Sequence, residues 1–225
     1  MPERVLVLAP HTDDAEFGCG GTLARFVAEG KDVFQVAFSS AEASVPDGFP
    51  SDILVHEVRE ASSVLGIRDS HLILLSYPVR SFHAHRQDIL DDMIRLEREL
   101  RPDMVLVPST HDTHQDHQTI AQEGFRAFKQ KTMLGYEVPW NNLTFTTQSF
   151  VFLDETSLDR KIEAVKCYRS QASKPYASPE FIRSMAITRG IQIGATYAEA
   201  FEVTRWVMRS RCDTNDRPQI GMSGS

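Results

Sequence analysis

The sequence predicts an α/β fold, a doubly wound domain whose sheet is mainly parallel. Three observations carry this. Continuous apolar runs of strand length, Val5–Ala9 and Met104–Pro108, read as strands buried on both faces. Segments of helical period stand between the strand-like runs. The strand–helix alternation then implies right-handed βαβ crossovers.

Taken in order, Val5–Ala9 stops at Pro10, and a glycine-rich turn leads to a helix with Leu23, Phe26 and Val27 at helical spacing, closed by Gly30. Val33–Phe38 is the second strand. A polar loop from Ser39 to Ser51, with Pro46, Gly48 and Pro50, interrupts the alternation and is of the length that often forms a functional rim. A helix over Ile53–Leu65 ends at Gly66, and Leu72–Leu75 is the third strand. Ile89, Leu90, Met93, Ile94 and Leu100 mark an amphipathic helix that stops before Pro102. Met104–Pro108 is the fourth strand, followed by a helix over Asp116–Lys131. Phe150–Leu153 is expected as the fifth strand. Leu158, Ile162 and Val165 lie on one helical face, Ser178-Pro179 opens a further helix, and Glu199–Val207 is expected as a final strand, with helix as the alternative. One domain over residues 1–208 and a polar tail over 209–225 is the economical division.

Composition narrows the function classes. The chain has 225 residues, 41% hydrophobic and 24% charged, which suits a globular protein, and its net charge of −7 argues against a general nucleic-acid surface. Cys19, Cys167 and Cys212 form no CxxC pair, so no disulfide framework or zinc ribbon is suggested, and a reducing cytoplasm fits best. The first apolar run is too short for a membrane span.

Polar residues gather where strands end. Pro10-His11-Thr12-Asp13-Asp14-Ala15-Glu16 follows the first strand, and Ser109-Thr110-His111-Asp112-Thr113-His114-Gln115-Asp116-His117 follows the fourth. In open parallel sheets, sites form at these carboxyl ends. A catalytic zinc takes three ligands of the imidazole and carboxylate type and leaves a place for water. His11 and Asp14, three apart in a tight turn, can bend toward one point, and His117 can meet them if the two strands are neighbours. Asp13 is placed to act as the general base. His114 is placed to stabilise an oxyanion or protonate a leaving amine, with Asp116 holding its ring. Zn²⁺ is the expected metal, although Fe²⁺ and Co²⁺ suit the same donors.

These two segments resemble the paired motifs of the PIG-L/LmbE-like zinc-dependent N-acetylglucosaminyl deacetylases. Thr12 and Gln115 stand where the family pattern has proline. Leu65-Gly66, Arg169-Ser170-Gln171 and Tyr197–Phe201 are similar to further family landmarks. Near the start of the helix before Leu65-Gly66, where amino-sugar-binding members carry an arginine, this chain has Ile53-Leu54. The resemblance implies a Rossmann-like fold and hydrolysis of an N-acyl amide on a small amino-sugar conjugate. It assigns His11, Asp14 and His117 to the metal, Asp13 to the base, and His114 with Asp116 to the transition state.

Four further residues are expected at the substrate: His83, His85 and Arg80 as a basic group after a strand, and Trp140 as a stacking surface. The partner is a small amino-sugar substrate rather than nucleic acid or membrane, and homo-oligomerisation is left open. A rival reading is a non-catalytic sugar or nucleotide-sugar binding domain that retains a structural metal. Gly18-Cys19-Gly20-Gly21 lacks the G-x-G-x-x-G spacing of a dinucleotide site and is expected to let helix and strand approach closely.

Overall fold

Strands form where apolar β-formers run continuously, and their carboxyl ends define the functional edge. In the computed structural model, which describes residues 2–208, seven strands make one sheet in the order β3-β2-β1-β4-β5-β7-β6. The strands are β1 (Arg4–Ala9), β2 (Asp32–Ala37), β3 (Leu72–Leu74), β4 (Met104–Pro108), β5 (Thr132–Tyr136), β6 (Ser149–Leu153) and β7 (Tyr197–Arg205). The first five in sheet order pair in parallel, and β7 runs antiparallel to both β5 and β6. The polar tail expected over 209–225, with Cys212, lies outside the described residues.

The helices are α1 (Asp14–Ala28), α2 (Ile53–Leu65), α3 (Arg86–Leu100), α4 (Gln115–Ala127), α5 (Glu155–Lys166) and α6 (Pro179–Ile191). β1 explains the layering. Its side chains alternate across the sheet, so Val5, Val7 and Ala9 join the core beneath α1 and α2, while Leu6 and Leu8 join the core beneath α3 and α4. All five are fully buried. A third cluster, with Phe17, Leu158, Ile162 and Ile182, fastens α1 to α5 and α6.

Three differences from the sequence expectation have physical causes. The segment Thr132–Tyr136 is a strand, not the sequel to a long helix, because the helix ends at Ala127 and Phe128 leaves helical geometry (φ −104°, ψ 43°). The only cue was a short apolar pair beside Gly135, where a Cβ would stand 3.2 Å from the Ser109 backbone and 3.0 Å from Glu202. The strand expected fifth is therefore β6, on the antiparallel edge of the sheet. The final element is a strand, as first expected, but begins earlier, at Tyr197.

α1 breaks at Cys19 (φ −147°, ψ 21°). The freshly opened N–H groups of Gly21 and Thr22 donate to the Glu199 carboxylate on β7, at 3.1 and 2.7 Å, and Lys161 Nζ completes the pair at 2.6 Å. Gly18 admits the Tyr136 ring, since a Cβ there would lie 2.3 Å from it. The helix can thus drop onto the sheet and bring its first turn to the end of β1. β1 and β4 are neighbours from which the chain winds in opposite directions, and that is the point where parallel sheets open a crevice.

Candidate metal centre

The two polar strand ends meet at this crevice. His11 lies just beyond β1, Asp13 and Asp14 start α1, and His114 and His117 start α4. Ring nitrogens of His11, His114 and His117 lie within 4.8 Å of one another. Asp14 Oδ2 sits between two of them, 3.1 Å from His11 Nδ1 and 3.3 Å from His117 Nε2, and also accepts the His11 backbone N–H at 2.8 Å.

The hydrogen bonds on the far side of each ring sort the three histidines. His11 Nε2 faces Asp116 Oδ2 at 3.1 Å, and His117 Nδ1 faces Asp112 Oδ2 at 2.7 Å. Each of these rings gives a proton to a carboxylate behind it and turns its other nitrogen toward Asp14. His114 is different. Its Nδ1 accepts the backbone N–H of Asp116 at 3.2 Å, which places the ring proton on Nε2 and makes that nitrogen a donor rather than a ligand. Donors about 2.0–2.2 Å from a tetrahedral ion stand roughly 3.3 Å apart, which the separations of Asp14 Oδ2 from His11 Nδ1 (3.1 Å) and from His117 Nε2 (3.3 Å) match.

The carboxylate of Asp116 is not the partner of the His114 ring, contrary to the role expected for it. Besides His11 it accepts the backbone N–H groups of Arg80 (2.6 Å) and Phe82 (3.3 Å). Asp112, which the sequence leaves open between support of the site and a solvated loop, stands behind His117. It is buried, and its other oxygen accepts the His114 N–H at 2.8 Å. Its spacing from His117 was the available cue, five residues earlier across the helix start.

Charge balance follows from these contacts. Burial opposes protonation of His11 and His117, but Asp14 beside both, with Asp116 and Asp112 behind, carries them up to about 9 and about 10. Asp14 is held well below the usual carboxylate range by His117 and His11, despite its burial. Asp13 is pushed up to about 6 by burial and by its neighbour Asp14. It occupies the N-cap position of α1, yet its side chain makes no capping bond. Burial, then the positive His117 and His11, lower the pKa of His114, keeping that ring neutral near pH 7.

A cavity of about 390 Å³ opens over this cluster. His11, Asp13, Asp14, His114 and His117 form its floor, and Ala41 and Ser44 bring the polar 39–51 loop to its rim. Of the expected substrate residues, Arg80 and Trp140 line it and His83 and His85 do not. His83 is exposed on the turn before α3, and His85 faces Asp88 at 3.7 Å. Trp140 stacks on Tyr176 (3.8 Å between centroids, 13°) and meets Phe17 edge-on at 5.4 Å. The next residue, Asn141, also reaches the cavity.

Comparison with known proteins agrees with this architecture. The family model described as PIG-L, GlcNAc-PI de-N-acetylase, matches residues 6–128, which contain both clusters. The chain is 28% identical over 173 residues to the uncharacterized deacetylase YaiS of Escherichia coli K12, covering 74% of this chain and 90% of that protein. The N,N'-diacetylchitobiose deacetylase of Pyrococcus horikoshii superposes with a TM-score of 0.76 at 22% identity, covering 90% and 84% of the two chains. GalB, the 4-carboxy-2-hydroxymuconate hydratase of Pseudomonas putida KT2440, superposes at 0.73 with 19% identity, covering 92% and 98%. The last two likenesses speak for the fold.

Proposed function

The chain belongs to the PIG-L family, and from that premise we propose that it is a metal-dependent N-deacetylase that hydrolyses the N-acetyl amide of a small amino-sugar conjugate. The observation that carries this reading is the sorting of the histidines. Two rings are backed by carboxylates and turned onto Asp14, while the third presents an N–H to the same cavity.

His11 Nδ1, Asp14 Oδ2 and His117 Nε2 would hold the ion, with Zn²⁺ the first candidate for this N/N/O set and Fe²⁺ an alternative. When bound, such a cation polarises a carbonyl oxygen and acidifies water. Asp13 takes the proton of the attacking water. Its pKa of about 6 leaves it ionised at neutral pH yet basic enough to accept. His114 donates its Nε2 proton in a hydrogen bond to the oxyanion that forms as the acyl carbon becomes tetrahedral. Asp116 and Asp112 fix the His11 and His117 rings. The proton then passes from Asp13 to the departing amine as the C–N bond breaks, giving acetate and the free amino sugar. Trp140 offers an exposed edge for a sugar ring.

No helix among the described residues is long and apolar enough to cross a membrane. Cys19 and Cys167 are free thiols, in keeping with a cytoplasmic location.

The test is acetate release from N-acetylglucosamine conjugates by wild type and Asp13→Asn. The variant is expected to keep its metal and lose hydrolysis. Loss of metal, or retained hydrolysis, would remove Asp13 from its role. The hydratase on the same fold makes a second assay informative: water addition to an unsaturated carboxylic acid without acetate release would replace the deacetylase reading.

A further inference from the structure

We propose that an apolar recess beside the catalytic cavity receives the hydrocarbon tail of the acyl group, so that the enzyme hydrolyses short-chain N-acyl amides longer than acetyl in preference to acetyl itself. This rests on the deacetylase reading and extends it to the acyl side of the amide.

A shared wall supplies the first argument. Phe17, Trp140 and Tyr176 line the catalytic cavity on one side and a second cavity, of about 40 Å³, on the other. The wall begins at the reacting centre. Phe17 stands one helical turn after Asp13, and its N–H donates to the Asp13 carbonyl at 3.1 Å. Its ring meets Trp140 and Tyr176 edge-on, each at 5.4 Å between centroids. These rings are not sealed into the core, since Trp140 is 39% exposed. An acyl carbon held beside Asp13 therefore has the wall within reach of its next few carbons. An alkyl group on the anomeric oxygen lies several bonds further away.

The character of the recess supplies the second argument. Phe181, Ile182, Met185 and Ala186 of α6 and Ala198 and Ala200 of β7 line it. The three alanines leave space that larger side chains would fill. The charges at its border are committed to one another: Lys161 Nζ to Glu199 at 2.6 Å, and the Arg189 guanidinium to both Glu137 oxygens. An ionic group entering here would have to break one of these pairs, whereas methylenes gain by leaving water. A water needs about 10–15 Å³ of such space, so 40 Å³ admits roughly three or four carbons and excludes a long tail.

The experiment follows amine release from methyl glucosaminides that differ only in the acyl group: acetyl, propanoyl, butanoyl and octanoyl. The butyl glycoside of N-acetylglucosamine controls for where the chain is attached. Calorimetric binding of acetate and butanoate to the zinc-loaded protein is measured alongside. Each buried methylene is worth about fourfold, so N-butanoyl should exceed N-acetyl by about tenfold in kcat/KM, and butanoate should outbind acetate similarly. The octanoyl compound should fall below butanoyl, and the butyl glycoside should behave like the methyl glycoside. Ala186→Leu fills the recess and should return butanoyl to the acetyl level or below, with acetyl turnover and melting temperature close to wild type. Ala200→Val makes the same test from β7 where the leucine lowers the melting temperature.

Turnover confined to acetyl, or a butanoyl advantage untouched by both substitutions, overturns the recess and leaves the deacetylase reading standing. An equal advantage for the butyl glycoside puts the chain on the aglycone and overturns the acyl assignment. Selective butanoate binding that is lost in Ala186→Leu, without turnover of any N-acyl compound, supports the recess and overturns the deacetylase reading. Absence of both turnover and selective binding overturns the two together.

Discussion

Two buried carboxylates, Asp14 and Glu199, show how one fold makes a lock and a socket from the same chemistry. Glu199 accepts two helix N–H groups and a lysine ammonium, at 3.1, 2.7 and 2.6 Å, and its partners are permanent. Asp14 is also surrounded by donors, but two of them are histidines whose protons a metal ion can replace. Both carboxylates act on α1. Glu199 fixes the helix after its break at Cys19, and Asp14 works from the turn before it. The difference is one of exchangeability: a buried charge whose partners cannot leave serves stability, and one whose partners titrate serves a ligand.

The widest separation of the two is expected from Asp13, which belongs to the socket without filling it. Asp13→Asn should lower kcat by about 10²–10⁴-fold. Metal content by elemental analysis and the melting temperature should stay close to wild type.

The lock is tested by Glu199→Ala, which strands Lys161 and two amide donors in the interior. A loss of about 3–5 kcal/mol in denaturant unfolding is expected for breaking such a pair. Asp14→Asn should abolish metal binding, and its cost in unfolding free energy, unlike that of Glu199→Ala, should shrink as pH rises and His11 and His117 shed their protons. Equal destabilisation by both substitutions at every pH would erase the distinction.

A third expectation concerns pH. His11 and His117 in the metal-free protein have pKa values raised from 6.5 to about 9 and about 10, so both must shed a proton before they ligate. Metal affinity should therefore climb with pH from about 6 to 9, by up to about two logarithmic units per pH unit, as zinc titrations of the apoprotein would show. The sign for stability is the reverse. These raised values stabilise the metal-free fold fully below pH 6.5, and that contribution is lost as pH rises through about 9–10. Added metal should offset the loss.

The smallest effect is expected behind the ligands. Asp112→Asn keeps a group near His117 Nδ1 but removes the charge, and should weaken zinc by about 10–100-fold. Competition with a chelator of known affinity measures this.

The comparison also explains what could be read from sequence. The parallel half of the sheet was legible because Val5–Ala9 and Met104–Pro108 are apolar on both faces, and because the His/Asp segments follow them directly. The antiparallel edge was harder. Thr132–Tyr136 is short and contains a glycine, and its identity as a strand depends on distant Ser109 and Glu202. Within the site, the sequence placed the two His/Asp segments at strand ends but not which atom faces which. That Asp116 serves His11, and that Asp112 serves His117, follows from how α4 starts against the 80–82 turn. His83 and His85 looked equivalent to Arg80 by proximity in sequence, but the short helical turn at Phe82–His85 carries them away from the cavity.

The decisive measurement is acetate release from an N-acetylglucosamine conjugate by protein stripped of metal and titrated with Zn²⁺, run alongside Asp14→Asn. Release should be absent after chelation, rise in proportion to metal until one ion is bound per chain, and never appear in the variant. Release that is indifferent to chelation, or an Asp14→Asn protein that recovers full activity with zinc, would contradict the metal centre assigned to His11, Asp14 and His117.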